Sequence, residues 1–240
     1  MERLTRLIDA IYDCALEDHD WSPTVVEIAE FCGGANAALV MTDPRIDLAH
    51  VLAPRADPTV IEDYNRFWWQ HDPTVQATAS IRPGVTTDLA DTGREAFFAS
   101  AFFNDYWSKS GLGAERVATN LFVADGAFGS IVLQASVEND EITEEARKRF
   151  DLVVPHLIRA MNTRRRLQGL AIDLQKERNR DHDGFMSIGQ ERRVLYADDG
   201  ALAMLEDGCG MALWNRRLVL DDPLADTRLG QAIAACGGGG

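Results

Sequence analysis

Two groups of aromatic residues are the part of this sequence best suited to bind a small molecule. They lie at positions 64–69 and 97–107: Tyr64, Phe67, Trp68 and Trp69, and then Phe97, Phe98, Phe102, Phe103, Tyr106 and Trp107. Sites for small molecules are mostly apolar and aromatic, with a few polar groups that fix the orientation of the ligand. Tyrosine and tryptophan supply both, since each ring carries a polar group at its edge. The two groups therefore predict a pocket between helices and a sheet.

Helical spacing selects the residues of this predicted pocket. Tyr64 and Trp68 are four residues apart, as are Phe102 and Tyr106, so each pair lies on one face of a helix. Asp72 follows the first group and is suited to anchor an amide or amine of the ligand. We therefore expect the ligand-binding residues to be Tyr64, Trp68, Asp72, Phe102 and Tyr106. Two alternatives stay open: both groups form ordinary core, and Asp72 belongs to an Asp-Pro turn that ends a helix.

Motifs for catalysis and for metal binding are absent from the sequence. None of the five histidines stands at a ligand-like spacing from another. The run Asp-His-Asp at 181–183 lacks the second ligand pair of zinc signatures, which favours a solvated linker. Gly129-Ser130 lacks the second glycine of a nucleophile elbow, and no phosphate-binding glycine motif occurs. The sequence predicts no catalytic residue, no metal site and no cofactor, and therefore a protein that is not an enzyme.

The composition of the chain limits the kinds of partner that it can bind. The 240 residues are 46% hydrophobic, enough for a full-sized core, and their net charge is −14. So acidic a surface repels DNA phosphates and anionic membranes, so we expect these residues to bind neither nucleic acid nor a membrane. The sequence has no apolar run of about 18 residues and no basic, apolar leader, which predicts a cytoplasmic protein. In that compartment we expect free thiols at Cys14, Cys32, Cys209 and Cys236.

Hydrophobic periodicity and turn residues predict the elements that position the aromatic groups. The expected helices cover 3–17, 23–32, 58 to about 72, and 94–109; the expected strands cover 37–41, 48–53, 117–123 and 128–135. The last two strands form a hairpin around Asp125-Gly126, and residues 74–93 are expected to be irregular. Helices around a few strands joined by hairpins indicate an α+β fold, with an antiparallel sheet between two helical layers.

A long helix follows the hairpin. Thr143 is suited to cap it, and apolar residues recur at alternating steps of three and four, in a heptad pattern broken only by Arg164. The pattern comprises Phe150, Val153, Leu157, Ala160, Arg164, Leu167, Ala171 and Leu174. Such a helix extends beyond one domain, so we expect it to be a connector and the interface of a homodimer.

The residues after the linker at 181–184 form a second, smaller unit. Short strands are expected at 185–188 and 194–197, a helix at 201–205, a hairpin at 213–220 and a final helix from Pro223. A unit of this size is short of a normal domain, and we expect it to be incomplete. The predicted organisation is a sensor domain at 1–142, a closing and connector helix at 143–180 and an incomplete unit at 181–240.

Several stretches, taken in order, point to one family: LIDAIYD at 7–13 with Trp21 downstream, 64–73 ending in Asp72-Pro73, FFNDYW at 102–107 with Gly-Leu at 111–112, and LVVPHL at 152–157. In order and spacing they resemble the N-terminal sensory region of LuxR-type helix-turn-helix transcriptional regulators, over about residues 3–165. The resemblance implies a GAF- or PAS-like sensor fold. It also implies that residues 181–240 begin a PAS-like unit and that the DNA-binding helices lie outside this sequence.

A narrower resemblance is to the branch of that family that binds acyl-homoserine lactones. In that branch an aromatic helix ends at Asp-Pro and the aspartate anchors the ligand amide; Tyr64, Trp68 and Asp72 are the matching positions. The leading hypothesis is therefore a ligand-sensing regulatory domain of a bacterial LuxR-type transcription factor, which signals through the dimerising connector helix in response to a small-molecule effector. The alternative is a protein–protein interaction module that has no small-molecule ligand.

Overall fold

The computed structural model describes residues 2–17, 19–43, 48–124, 127–178, 184–208, 210–214 and 217–237. The described residues divide into two compact units: the first comprises 2–43 and 49–168, and the second comprises Leu48 and the residues from Gly169 onward. The domain limits expected at 142 and 180 stay a prediction. No helix within the described ranges is long and apolar enough to cross a membrane.

A five-stranded sheet lies at the centre of the first unit. Its strands are β1 (Asn36–Asp43), β2 (Leu48–Leu52), β3 (Thr87–Asp88), β4 (Arg116–Ala124) and β5 (Ala127–Gln134), in the order β2-β1-β5-β4-β3. β5 pairs antiparallel with both β1 and β4, and β3 pairs antiparallel with β4. The four strands predicted in this unit are all present, whereas β3 lies in a stretch expected to be irregular.

Helices cover both faces of this sheet. They are α1 (Glu2–Leu16), α2 (Ser22–Cys32), α3 (Pro58–Arg66), α4 (Pro73–Thr78), α5 (Arg94–Ala99) and α6 (Glu144–Arg178). Side chains alternate between the faces of a strand, and on β1 Ala37 and Leu39 belong to one apolar cluster while Ala38 and Val40 belong to another. The predicted α+β class, with an antiparallel sheet flanked by helices and a long helix after it, is confirmed.

Each face of the sheet has its own core. Side chains of α1, α2 and α6 fill the first: Leu7, Ile11, Val25, Ile28, Phe150 and Leu157. The second is formed mainly by the segment between β2 and β4 and includes Leu89. It holds most of the aromatic residues, among them Tyr64, Trp69, Phe97, Phe102 and Trp107. The aromatic groups therefore lie on the face opposite α6.

The prediction of one continuous aromatic helix over 94–109 is wrong. The segment consists of α5, a π-helical turn over Phe102–Tyr106 and a 3-10 turn over Trp107–Lys109. Ser100 is extended between them, with φ −76° and ψ 153°. Its hydroxyl donates to the Phe97 carbonyl at 2.6 Å and accepts from the Phe103 amide at 3.1 Å. These local hydrogen bonds compete with the helical ones and end α5.

The helix expected from 58 to about 72 is also shorter than predicted. Asp57 caps α3 by accepting from the Thr59 amide at 2.8 Å, but α3 ends at Arg66 and a 3-10 turn follows over Trp68–His71. Asp72 then caps α4, a helix in the stretch that was expected to be irregular. Proline at the first position of α4 fits the helix start, because the missing N–H has no helical partner there.

The long helix is present, and its beginning is as predicted. The Thr143 hydroxyl accepts from the Ala146 amide at 3.1 Å, and α6 runs for 35 residues. The expectation that its whole apolar stripe forms a dimer interface needs correction, because the first four positions are buried in the core of the same unit: Phe150, Val153, Leu157 and Ala160. Leu167 is exposed, and the side chains of Ala171 and Leu174 lie outside the described residues.

The second unit contains two hairpins and two helices. β6 (Met186–Ile188) pairs with β7 (Val194–Ala197), and β8 (Met211–Trp214) pairs with β9 (Arg217–Leu220). The helices are α7 (Asp199–Glu206) and α8 (Pro223–Gly237). Each corresponds to an element predicted from the sequence. The linker at 181–183 lies outside the described residues, as does the Asn-Arg pair at 215–216.

Two of the four cysteines can be assigned. Cys14 and Cys32 are free, as predicted, and both are buried. Cys209 and the side chain of Cys236 lie outside the described residues. Burial raises the pKa of the Cys32 thiol to about 12. Since the thiolate is the reactive form, Cys32 is a core residue rather than a nucleophile.

Candidate functional site

A cavity lies between the sheet and the aromatic segment of the first unit. Its volume is about 90 Å³, measured as space open to the centre of a water molecule. A buried water needs only roughly 10–15 Å³, so the cavity is large enough for a small organic molecule. Most of its wall is apolar, including Val40, Val51, Val60, Ile61, Val75 and Val132.

The structure brings three of the five expected ligand-binding residues to this cavity. Tyr64, Asp72 and Tyr106 line it, and all three are buried. Trp68 and Phe102 do not line it but pack against the rings that do. The Trp68 ring stacks on Tyr106 with centroids 5.3 Å apart, and the Phe102 ring lies 6.1 Å from Tyr64. The aromatic groups are thus partly cavity wall and partly the core behind that wall.

Asp72 both caps a helix and lines the cavity. The two interpretations of this residue from the sequence, an Asp-Pro turn and a ligand anchor, are therefore compatible. Its Oδ1 accepts from the Thr74 amide at 2.9 Å and the Thr74 hydroxyl at 2.7 Å, which caps α4. Its Oδ2 accepts from the Tyr64 hydroxyl at 3.2 Å. A carboxylate offers about four acceptor positions, so one remains for a donor group inside the cavity.

Tyr64 is held as a neutral donor. Burial raises the pKa of its hydroxyl well above the ordinary value, and the neighbouring Asp72 charge raises it further. The Tyr106 hydroxyl donates to the Val60 carbonyl at 2.6 Å, and burial raises its pKa in the same way. Both phenols therefore stay protonated at neutral pH and act as hydrogen-bond donors.

Polar residues on the sheet form the wall opposite these tyrosines, and they are not among the ligand-binding residues predicted from the sequence. In the strand register, Gln134 pairs with both Asn36 and Arg116, and Ser130 pairs with Asn120. All but Asn36 line the cavity. Arg116 and Asn120 are four residues apart on β4, as are Ser130 and Gln134 on β5, and even spacing on a strand places side chains on one face. Polar residues at even spacing inside apolar strands are the signal that could have identified them.

Hydrogen bonds from Asn120 hold the segment of the chain that closes one side of the cavity. Its amide nitrogen donates to the carbonyl of Thr78 at 2.7 Å and to that of Ile81 at 2.8 Å. Its oxygen accepts from the Ser130 hydroxyl at 2.6 Å. Both side chains are thereby satisfied by the protein itself, so their role is to hold the wall in place.

Arg116 differs, because no hydrogen bond or ion pair joins its side chain to a polar group in the described part of the chain. Its side chain is buried, and the guanidinium lies over the Phe97 ring at 4.5 Å and the Trp107 ring at 5.2 Å. Its Nη2 atom is buried without a hydrogen-bond partner among the described residues. Gln134, its neighbour in the register, accepts through Oε1 from the Asn36 amide at 2.7 Å.

Comparisons with known proteins bear on the fold. Neither a protein-family model nor a curated protein matches this chain. Among solved structures, the LBD domain of VqsR from Pseudomonas aeruginosa is 22% identical, with a TM-score of 0.52; the match covers 68% of this chain and 94% of that one. The phycoerythrobilin-bound GAF domain of a cyanobacterial phytochrome is 13% identical, with a TM-score of 0.43; it covers 69% of this chain and 97% of that one. The first of these matches shows a shared fold.

Proposed function

We propose that this chain is the ligand-sensing region of a bacterial LuxR-type transcription regulator, and that the cavity beside Tyr64, Asp72 and Tyr106 holds its small-molecule effector. The observation that carries the proposal is the cavity itself, an apolar space with a few buried polar groups, as ligand sites have. The order of segments that resembles LuxR-type sensors supports it. So does the shared fold with a VqsR domain that is described as a ligand-binding domain.

In this proposal the protein binds and does not catalyse. Tyr64 and Tyr106 form one wall, with their hydroxyls already donating to Asp72 and to the Val60 carbonyl. Asp72 keeps one acceptor position for the ligand, while Trp68 and Phe102 hold the two tyrosine rings from behind. The chain acts in the cytoplasm as a homodimer.

The route from the cavity to α6 runs through the segment around β3. Thr87 and Asp88 line the cavity. Arg147 on α6 donates to the Asp88 carboxylate at 3.1 Å, and the Thr86 hydroxyl donates to Asp151 on α6 at 2.7 Å. A ligand that moves this segment therefore changes contacts with α6, and it biases the helix to the extent that it binds one arrangement more tightly.

A binding module for another protein is the second candidate. It is favoured by exposed apolar side chains on α6, where Leu152, Leu167 and Leu170 are 54%, 46% and 59% exposed. In that case the cavity has no ligand and α6 is the functional surface. Filling the cavity separates the two candidates, because it affects only a sensor.

The test is a thermal-shift screen of metabolites and acyl lactones on wild type, Ala118→Leu and Ala124→Leu. Ala118 lines the cavity, whereas Ala124 stands on the same strand outside it. We expect a ligand at one hundred times its Kd to stabilise wild type and Ala124→Leu by about 2.7 kcal/mol, and Ala118→Leu not at all. A ligand that stabilises all three equally, or no ligand at all, would favour the interaction module.

A further inference from the structure

Arg116 is a buried cation that has no counter-ion among the residues that the structure describes. Its side chain is 8% exposed, and no ion pair or hydrogen bond joins it to another described residue. A buried charge is strongly unfavourable unless it is paired. Two other arginines of this unit show the usual arrangement: Arg147 bonds to Asp88, and Arg94 bonds to Glu115.

The geometry leaves the donors of Arg116 available. Phe97 and Trp107 lie against the guanidinium and hold it in place through cation–π contacts. Such contacts use the faces of the group, whereas its N–H bonds point outward in its plane. The amide nitrogen of Gln134 stands next to Arg116 in the register and likewise donates to no described residue, since only its Oε1 is engaged. Two neighbouring side chains thus offer N–H donors to the same cavity.

The other charges around the cavity limit what can bind there. Asp88 is occupied by Arg147, and Asp72 already accepts three hydrogen bonds. The Asp72 carboxylate lines the same cavity, and its repulsion disfavours a ligand that carries two negative charges. The other described residues of the wall are uncharged; most are apolar, with several threonines, Asn120 and Ser130 among them.

We infer that the ligand is a small monocarboxylic acid, whose carboxylate pairs with Arg116 and the Gln134 amide and whose apolar body fills the rest of the cavity. The inference rests on the proposed function and names the chemical class of the effector. Arginine is suited to this role, since its planar N–H groups match the two oxygens of a carboxylate.

The test compares acids with their neutral counterparts. Straight-chain monocarboxylates of four to ten carbons, together with phenylacetate, are titrated into the whole chain beside the corresponding primary amides, with binding followed by calorimetry and thermal shift. Three proteins are compared: wild type, Arg116→Met and Arg94→Met. Arg94→Met is a matched control, because Arg94 also lies over a phenylalanine ring, that of Phe98 at 5.3 Å, but does not line the cavity.

We expect acids to bind wild type and Arg94→Met, amides to bind at least tenfold more weakly, and Arg116→Met to lose about 10- to 100-fold in affinity for acids. Ligand-free Arg116→Met should melt no lower than wild type, because an apolar side chain replaces an unpaired charge. If amides bind wild type as tightly as acids do, and Arg116→Met keeps the same affinities, the inferred carboxylate group is wrong. The proposed sensor function would still hold, because a small molecule binds. If neither class binds wild type and Arg116→Met melts lower, Arg116 is a packing residue and the carboxylate inference fails, whereas the sensor fails only if the wider screen on wild type and Ala118→Leu also finds no ligand.

Discussion

The Tyr64 hydroxyl donates a 3.2 Å hydrogen bond to Oδ2 of Asp72, and both side chains are buried against the cavity. α3 carries the tyrosine and ends at Arg66, whereas the aspartate caps α4 from Pro73 onward. The bond therefore closes the short connection between two helices over the site. A ligand that engages Asp72 meets a carboxylate whose position is fixed before binding.

The buried tyrosines should make the protein sensitive to alkali. Burial and the Asp72 charge raise the pKa of Tyr64, and burial raises that of Tyr106. Above about pH 10 the unfolded chain loses these protons while the folded chain keeps them, so the free energy of unfolding falls as pH rises. Each tyrosine contributes a slope of up to about 1.4 kcal/mol per pH unit.

Tyr64→Phe should therefore have a shallower slope than wild type in urea unfolding measured between pH 9 and 11. The Cys32 thiol acts in the same direction from roughly pH 9, so the decisive quantity is the difference between the two proteins. Identical slopes would mean that Tyr64 loses its proton as readily in the folded state as in the unfolded chain.

The fold was largely predictable because its signals are local. Asp57 before Pro58 and Thr143 before an acidic turn are caps, and each is followed by a helix. What failed was the continuity of the aromatic segments. The Ser100 hydroxyl hydrogen-bonds to the backbone on both sides and interrupts the helix. Hydrophobic periodicity cannot predict this interruption, because the spacing of the apolar residues continues through it.

The site was less predictable than the fold, because its polar wall depends on how the strands of the sheet pair with one another. Arg116, Gln134 and Asn36 are distant in sequence and meet only because β5 pairs with both β4 and β1. Aromatic composition correctly drew attention to the segment with Tyr64 and Tyr106. It could not separate rings that line a cavity from rings that support them, because both are apolar and stand at the same helical spacing.

Phe102 should act on stability rather than directly on ligand contacts. Its side chain is fully buried and contacts the rings of Tyr64, Tyr106 and Trp107 without lining the cavity. Phe102→Ala should lower the free energy of unfolding by about 3–5 kcal/mol, measured in urea. Phe67→Ala is the control: this ring is 50% exposed and its removal should matter far less. Equal losses in the two variants would mean that Phe102 does not belong to the core.

Two glycines should respond to alanine with opposite signs. Gly169 lies in α6, and a Cβ added there meets no atom within 4 Å, so Gly169→Ala should stabilise the helix by about 1 kcal/mol. A Cβ on Gly113 would lie 2.6 Å from the Ala135 carbonyl oxygen, which belongs to the backbone and has little freedom to move. Gly113→Ala should therefore lower the melting temperature. Thermal unfolding followed by circular dichroism compares both with wild type, and a loss of stability in Gly169→Ala would contradict the prediction.

Dimerisation, if it uses α6, must use the part of the helix that lies beyond the core. The first four positions of the apolar stripe are buried within the chain, whereas Leu167 and Leu170 are 46% and 59% exposed. Glutamate at both positions places charge where an interface would bury it, so the double variant Leu167→Glu, Leu170→Glu should be a monomer in sedimentation equilibrium. Its melting temperature at low protein concentration should stay close to that of wild type, since neither side chain belongs to the core.

Leu152→Glu is the matched control for this variant, because Leu152 is an exposed leucine, 54% accessible, on the same helix but outside the stripe. It should leave the dimer intact. A wild-type protein that stays monomeric at high concentration would remove α6 as a dimer interface. A dimer that survives in the double variant would place the interface elsewhere in the chain. Loss of the dimer in the double variant alone would assign the contact to the segment of α6 around Leu167.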